Sequence, residues 1–185
     1  MPIWLIIIIA VVIILALWFV TTYNSLVRLR TMCEEAFSTM DVYLKKRFDL
    51  IPNLVEVTKS YAKHEKETLE SVISARNTIQ SSPSDDKRLE AEGELTKALG
   101  RLMALAEAYP DLKANANFMD LSAQLKNMED EISNARKYYN GVVKEYNIKI
   151  QSIPSNIVAN IGGFKTKSLF EITNTEERNN VKVEF

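Results

Sequence analysis

The most constraining feature of the chain is an unbroken apolar run of 18 residues near its N-terminus, Ile3 to Val20. All 23 Lys and Arg and all 24 Asp and Glu lie outside this run. At about 1.5 Å per residue, a helix of this length reaches roughly 27 Å, enough to cross a bilayer's hydrocarbon core. Trp4 and Trp18 stand near its two ends, where aromatic rings favour the membrane interface. The run therefore predicts a transmembrane helix.

A cleaved signal peptide is the alternative interpretation of this run. Such a peptide needs a basic n-region, a shorter apolar region and a small-x-small cleavage site. Met1 and Pro2 carry no basic side chain, and Thr21-Thr22-Tyr23 is a poor cleavage site. The sequence therefore favours an uncleaved, single-pass anchor.

The charges that flank the run indicate its orientation. Arg28 and Arg30 follow it closely, whereas no basic residue precedes it. Because basic residues accumulate on the cytoplasmic side of a span, they predict a cytoplasmic domain after the anchor. The single cysteine, Cys33, agrees with a reducing compartment.

The rest of the chain has the spacing of helices. Between Thr21 and Ser152 there are three Gly and three Pro, and apolar residues recur every three or four positions. The clearest seam extends over about four heptads, a pattern that is also typical of coiled coils. It comprises Phe118, Leu121, Leu125, Met128, Ile132, Ala135, Tyr139, Val142 and Tyr146.

Three further seams predict three further helices. The first continues from the apolar run through Leu26, Leu29, Cys33, Phe37, Met40, Leu44 and Phe48. The second, weaker seam is Leu54, Val57, Tyr61, His64, Thr68, Val72, Ala75 and Ile79. The third is Leu95, Leu99, Leu102 and Ala106. Punctuation by proline and small polar residues predicts breaks at 49–52, 81–85 and 109–111.

Four helices joined by short connections predict an all-α fold, in which an N-terminal transmembrane helix precedes a long antiparallel up-and-down four-helix bundle. A long two- or three-helix coiled coil is the alternative if Pro52 only kinks one helix. The predicted domains are the anchor at 1–20, the bundle at 21–152, a C-terminal hook at 153–172 and a mobile tail at 173–185.

The place of the hook follows from the alternating direction of the helices. If the first helix leaves the membrane, the fourth returns to it, and the residues after Gln151 lie at the membrane-proximal end. Ser155 or Asn156 is expected to cap a short helix there, and Gly162-Gly163 to end it. The hook either contacts lipid headgroups or folds back and closes the end of the bundle. The residues concerned are Ile157, Ile161, Phe164, Lys165 and Lys167.

Motifs of enzymes and cofactor sites are missing from the sequence. His64-Glu65 lacks the second His, at position 68, that a HExxH zinc site requires. His64 is the only His and Cys33 the only Cys, so no catalytic, cofactor-binding or metal-binding residue is assigned. A net charge of −1 argues against a nucleic-acid partner, and no small-molecule substrate is identified.

Several blocks of residues, in order along the chain, carry a resemblance to a known family. The clearest are Asp49-Leu50-Ile51-Pro52-Asn53-Leu54-Val55-Glu56, Glu107-Ala108-Tyr109-Pro110-Asp111-Leu112-Lys113-Ala114-Asn115 and Ala135-Arg136 with Tyr138-Tyr139-Asn140. With these blocks the chain resembles the LemA family of small prokaryotic membrane proteins, over about 150 residues from Tyr23 to Glu171. Phe37 stands where that family usually has Trp, and Ile153 where it often has Phe.

The resemblance implies an N-terminal anchor followed by a long antiparallel helical bundle in a prokaryotic cell membrane. It implies no enzymatic activity. One relative is tied to building magnetosome membranes, so membrane organisation is implied by analogy alone.

The resemblance also marks a set of polar residues along the predicted helices. They are Asp41, Arg47, Asp49, Asn53, Arg76, Asn115, Arg136 and Asn140. Polar residues at helix ends usually satisfy backbone groups, and a partner-binding surface is the functional alternative.

Together, these features favour a membrane-anchored, non-catalytic scaffold or interaction protein. Its expected partners are the lipid bilayer and either another protein or a second copy of the chain. An adaptor for an integral membrane protein is one form of this role. A hydrolase or other enzyme with a polar site in the bundle is the alternative.

Overall fold

The computed structural model describes residues 2–82 and 85–170, and the regular secondary structure in these ranges is entirely helical. The helices are α1 (Ile3–Tyr61), α2 (Lys66–Ser81), α3 (Asp85–Glu107), α4 (Pro110–Lys113), α5 (Ala116–Gln151) and α6 (Ser155–Ile161). The all-α prediction is confirmed for these ranges. The last two residues of the predicted hook and the whole predicted tail, 173–185, lie outside the described residues.

The apolar run forms the first part of α1, and its side chains are largely bare. Packing begins just after it, since Val20 is exposed whereas Thr22 is buried and Leu26 is fully buried. By length and composition, α1 can cross a membrane, and it is the one helix within 2–82 and 85–170 that can.

The predicted break at 49–52 is wrong, because α1 continues through Pro52 and ends at Tyr61. A proline inside a helix removes one backbone hydrogen bond and crowds the preceding turn. Pro52 lies on the exposed side of α1, while Ile51 and Leu54 are buried. Packing of this buried face holds the helix together across the lost bond. The second predicted helix is divided as a result, with a connection at 62–65 between α1 and α2.

The later helix ends follow the predicted punctuation. Tyr109 precedes Pro110, which opens α4 at its first position. The side-chain oxygen of Asn115 accepts a hydrogen bond from the backbone N–H of Phe118 at 3.0 Å and so caps α5. Helix α5 then continues without interruption for 36 residues, or about 54 Å, and contains the whole of the predicted long seam.

The described chain divides into two compact units. The first unit comprises residues up to Met40 together with Asn134–Leu169, and the second comprises Asp41–Ser133 and, among the described residues, Phe170. Buried apolar residues of the first unit come from α1, α5 and α6, and include Leu26, Cys33, Met40, Val143, Tyr146, Val158 and Ala159.

The core of the second unit draws on five helices. Helix α2 packs against α3. The buried cluster includes Ile51 and Leu54 of α1, Leu69, Val72 and Ile79 of α2, Leu95, Leu99, Leu102 and Ala106 of α3, Leu112 of α4, and Phe118 and Leu125 of α5. The apolar seam predicted for the third helix is therefore buried in full.

Candidate functional site

Arg47 is a buried cation in the second unit. It follows Leu44 by three residues and precedes Ile51 by four, so it occupies a position on the apolar face of α1. The side chain is 1% exposed, as are those of Leu44 and Ile51. Because an isolated charge is very costly to bury, this position requires charged or polar partners.

Two carboxylates and a hydroxyl surround the Arg47 guanidinium. Nη2 donates to Oε2 of Glu92, and Nη1 donates to Oε1 of Glu129, each at 2.5 Å. Nη1 also donates to the hydroxyl oxygen of Thr96 at 2.8 Å. Helices α1, α3 and α5 therefore each contribute one charged residue to what we term the ion cluster: Arg47, Glu92 and Glu129.

The two carboxylates of the ion cluster have different surroundings. The side chain of Glu92 is 1% exposed and that of Glu129 is 32% exposed. Burial raises the pKa of Glu92, while the nearby positive charge of Arg47 acts in the opposite direction. Burial therefore favours the protonated form of the Glu92 carboxyl, and Arg47 favours the ionised form. Chemically, the cluster can hold three helices in register.

Two open grooves border the ion cluster within the second unit. One, of about 320 Å³, includes Glu92 and Arg88 in its lining, beside the apolar side chains of Leu44, Phe48 and Ile79. The other, of about 570 Å³, includes Glu129 and Lys126, beside Leu99, Met103 and Leu125. Grooves of this size and lining suit a side chain of a partner or a small apolar ligand.

Asp41, Arg47 and Asp49 of the predicted polar set lie on one stretch of α1 but make different contacts. Arg47 belongs to the ion cluster. Asp41 forms an ion pair with Arg88 of α3, and Asp49 lies 3.9 Å from Lys45 at the surface. The ion pair at the surface is of the kind that contributes little to stability.

Three more members of that set lie elsewhere in the second unit. The guanidinium carbon of Arg76 lies 4.0 Å from the centroid of the Phe48 ring, a cation–π contact. The side chain of Asn115 donates to the Tyr61 hydroxyl at 3.0 Å, in addition to capping α5. Asn53 is exposed on α1.

The last two members, Arg136 and Asn140, lie in the first unit. Both are half-buried, and both are engaged in polar or ring interactions. The predicted set is thus divided between the two units, and Arg47 is its member in the ion cluster.

Reasoning from the sequence missed Glu92, Glu129 and Thr96. A signal was present for the two carboxylates. Glu92 stands three residues before Leu95, and Glu129 stands three before Ile132, so both occupy positions on apolar seams. Opposite charges at seam positions of separate helices are the pattern that a buried ion cluster leaves in a sequence.

In the first unit, the predicted hook has both buried and exposed side chains. Phe164 is buried, whereas Ile157, Ile161 and Lys165 are exposed. Lys167 lies 3.7 Å from Glu34 of α1.

The prediction for α6 is confirmed at its C-terminal end and wrong at its N-terminal end. Gly163 has a φ of 67° and terminates the helix as predicted, because glycine adopts this left-handed conformation without strain. The predicted cap by Ser155 or Asn156 is wrong, since the helix begins at Ser155 with no side-chain cap. The Ser155 hydroxyl instead reaches back to the carbonyl oxygen of Lys149 at 2.6 Å.

The residues with metal-binding or nucleophilic potential are placed apart from the ion cluster. Burial raises the pKa of the Cys33 thiol, which lies in the core of the first unit. His64 is exposed in the connection at 62–65, not on a helical seam as its spacing predicted. Within 2–82 and 85–170, no three His, Cys, Asp or Glu residues are grouped so that they could hold a metal ion.

Comparison with known proteins adds family relationships to this geometry. The sequence model of the LemA family matches residues 36–185. The magnetosome protein MamQ 2 of Paramagnetospirillum magneticum is 29% identical over 175 residues, covering 80% of this chain and 64% of the relative. MamQ of Magnetospirillum gryphiswaldense is 29% identical, with 82% and 67% covered. The LemA protein of Metamycoplasma hominis is 25% identical, with 83% and 70% covered. The chain therefore spans somewhat less than two thirds of the P. magneticum relative.

Proposed function

The chain belongs to the LemA family, and we propose that it is a single-pass membrane protein whose helical domain acts as a non-catalytic scaffold. Its partners would be the lipid bilayer and either another protein or a second copy of the chain. Two relatives carry the name of magnetosome proteins, which supports membrane organisation as the theme of this role. An adaptor for an integral membrane protein is a narrower form of the same proposal.

The bare apolar part of α1 is the observation that carries the proposal. From Ile3 to Leu17 the side chains are exposed or half-exposed, although the same helix is well packed from Thr22 onward. Each central Leu, Ile or Val favours membrane insertion by about 0.3–0.6 kcal/mol. A segment that finds no apolar cover within the described chain is thus suited to lipid.

For the domain after the anchor, we propose an antiparallel helical bundle over 21–152. Contacts inside the first unit support this direction for α1 and α5. The rings of Phe37 and Tyr139 lie 5.8 Å apart. Tyr146 lies seven residues after Tyr139 on α5, and Arg30 lies seven residues before Phe37 on α1. These two residues are also near each other, since the positive charge of Arg30 acts on the pKa of the Tyr146 hydroxyl.

Contacts inside the second unit support the same direction. Arg47 of α1 contacts Glu129 of α5, and Tyr61, 14 residues further along α1, contacts Asn115, 14 residues before Glu129. Residue numbers therefore rise along one helix as they fall along the other, as in an antiparallel pair.

A cytoplasmic position for the bundle is part of the proposal. Arg28 and Arg30 are exposed on α1, eight and ten residues after the end of the apolar run. Basic residues this close to a span favour the cytoplasmic side.

The anchor is tested by placing charges in the apolar run. In the full-length protein expressed in bacteria, Ile9→Arg with Ile13→Arg should move the protein from the alkali-resistant membrane fraction to the soluble fraction. Each arginine near the centre of a span opposes insertion by about 2.5–3.5 kcal/mol. Val42→Arg with Ile73→Arg is the matched control, because both residues are exposed apolar positions beyond the anchor. Release of the control, or retention of the test variant, would contradict the proposed anchor.

A further inference from the structure

Helix α6 and the turn before it expose an apolar face that no described part of the first unit covers. Ile153, Ile157 and Ile161 are 85%, 54% and 69% exposed. Ile157 and Ile161 are four residues apart, so they share one side of α6. On the other side of the helix, Val158 and Ala159 are fully buried. Apolar residues therefore occupy both the packed side of the helix and an exposed side of it.

The end of α6 lies against the part of α1 where the apolar run stops. The rings of Phe164 and Tyr23 are in edge contact, with centroids 5.5 Å apart. A Cβ placed on Gly162 would lie 3.0 Å from Cε2 of Tyr23, so the backbone itself approaches that ring. Tyr23 is three residues past Val20, or about 4.5 Å along the helix axis. Ile161, next to Gly162, thus lies near the level at which the proposed membrane span ends, and Ile157 lies about one turn of α6 away from it.

Hydrogen bonds hold this segment in place. The backbone N–H of Phe164 donates to the carbonyl oxygen of Ala159 at 3.0 Å, and that of Gly163 donates to Asn160 at 3.2 Å. These two bonds are the pair that closes a Schellman motif at a helix end. Further along, the side chain of Asn147 donates to the carbonyl oxygen of Lys167 at 2.8 Å and accepts from its N–H at 2.9 Å. The isoleucines are accordingly presented by a fixed element.

Positive charges lie near the C-terminal end of the exposed face. Lys165 is exposed four residues after Ile161, and the guanidinium carbon of Arg30 lies 5.4 Å from the centroid of the buried Phe164 ring. Lys167 lies farther from the end of the proposed span. Its partner Glu34 is 14 residues past Val20, or roughly 21 Å along α1. Charges of this sign at the apolar face fit anionic lipid headgroups.

We propose that Ile153, Ile157 and Ile161 insert into the headgroup layer of the leaflet in which the α1 span ends, with Lys165 facing anionic lipid. This inference depends on the proposed anchor, which places the end of the apolar run at the membrane surface. The hook then forms a second membrane contact that fixes how the first unit stands on the bilayer. Of the two predicted roles for the hook, Phe164 serves the closing role and the isoleucines serve the lipid contact.

The test uses depth-dependent fluorescence in the full-length protein. Single cysteines for an environment-sensitive probe are placed at Ile157 and Ile161 in a Cys33→Ala background, and the protein is reconstituted in vesicles of phosphatidylcholine and phosphatidylglycerol. A cysteine at Thr39 is the water-exposed control, since Thr39 is exposed on α1 roughly 28 Å past Val20. A cysteine at Val12 reports on the anchor.

With lipids that carry a quencher near the headgroup, quenching at positions 157 and 161 should exceed quenching at 39 several-fold. Quenching at 157 and 161 equal to that at 39, with position 12 still buried in lipid, would overturn the hook contact and leave the anchor intact. Blue-shifted emission at 157 and 161 without lipid quenching would overturn it in favour of contact with a second copy of the chain. Exposure of position 12 to water would overturn both the anchor and the hook contact.

The proposed contact of Lys165 with anionic lipid is tested separately from the insertion of the isoleucines. Replacing phosphatidylglycerol by phosphatidylcholine should reduce the quenching at positions 157 and 161 measurably, and Lys165→Gln should have the same effect in the anionic vesicles. Thr166→Gln, at the neighbouring exposed position, should leave quenching unchanged. Equal quenching in both vesicle types would remove the role assigned to Lys165.

Discussion

At the scale of single residues, Arg47 illustrates how a charge is accommodated on an apolar helix face. Its guanidinium has two carboxylate partners at 2.5 Å, from α3 and α5. A buried ion pair is not by itself a large source of stability, because desolvation of the charges offsets their attraction. Removing one partner is different, since it leaves the other charges buried and uncompensated.

We therefore expect Arg47→Met to destabilise the protein strongly. The change removes the cation that donates hydrogen bonds to both Glu92 and Glu129, and loss of one partner of a buried pair costs about 3–5 kcal/mol. The free energy of unfolding of the detergent-solubilised full-length protein, followed by circular dichroism, measures this. Lys45→Met is the matched control, because Lys45 is an exposed cation two residues earlier on α1. A loss for Arg47→Met as small as that for the control would contradict the role of the cluster.

The pH dependence of stability should carry the signature of Glu92. Because burial raises its pKa in the folded state, the folded protein binds this proton more tightly than the unfolded chain. The contribution of this proton to the free energy of unfolding is therefore complete below pH 4.5, the ordinary pKa of a Glu side chain. It is lost as the pH rises through the pKa of Glu92 in the folded state. Glu92→Gln lacks this titration, so the stability of the wild type relative to the variant should fall as the pH rises above 4.5. An increase in this relative stability above pH 4.5 would show that Arg47, not burial, dominates at Glu92.

The Cys33 thiol should be unreactive in the folded protein. Its side chain is fully buried, and burial raises its pKa, so little thiolate is available for attack. Alkylation by N-ethylmaleimide, followed by mass spectrometry, should be slow in mild detergent and complete after denaturation. Labelling at equal rates in both states would mean that the core of the first unit opens readily.

Sequence reasoning identified Arg47 and placed Cys33 on the first apolar seam, but it did not find the carboxylates of Glu92 and Glu129. The predicted seams consist of apolar residues apart from His64 and Thr68, and Asp, Glu, Lys and Arg at the same spacing are not counted in them. Glu92 and Glu129 become evident once opposite charges are sought at seam positions of different helices. The distances that join them to Arg47 depend on tertiary packing, which spacing within one helix does not specify.

At the scale of elements, the helices were largely predictable and their boundaries less so. The seam from Phe118 to Tyr146 lies within α5, and the seam from Leu95 to Ala106 lies within α3. The predicted break at Pro52 is wrong because it rests on the local preference of proline and takes no account of the packing of the residues on both sides. Local preference is a weak guide where a helix buries apolar residues such as Ile51 and Leu54 in a core.

We expect Pro52→Ala to stabilise the protein. Alanine restores the N–H that proline lacks and removes the crowding of the preceding turn, while Pro52 itself is exposed and contributes little packing. Part of this gain is offset because proline also restricts the unfolded chain, so about 1–2 kcal/mol should remain. Chemical denaturation of both proteins measures the change. Asn53→Ala, at the next exposed position, should have a much smaller effect.

A loss of stability in Pro52→Ala would contradict this account of α1. It would mean that the bend imposed by the proline is needed to bring Ile51 and Leu54 into the core. The continuous helix would then depend on the proline instead of tolerating it.

At the scale of the whole molecule, helix α1 has two parts: a bare apolar segment, and a later segment that packs against other helices. The sequence predicted this contrast, because the apolar run is free of charge and all later seams are amphipathic. The match to the LemA family begins at residue 36, after the run, so the family relationship and the anchor are independent observations. The function of the scaffold depends on partners, and partner surfaces leave no periodic pattern in one sequence.

The most direct test of the proposed membrane anchor is the accessibility of α1 to a membrane-impermeant maleimide. Cysteines at Val12, Thr31 and Thr39 are introduced singly in the Cys33→Ala background, in membranes opened to expose both faces. We predict that position 12 reacts only after the membrane is dissolved, whereas positions 31 and 39 react at once. Reaction of position 12 in intact bilayer as fast as position 39 would contradict the account, because α1 would then lie in water along its whole length.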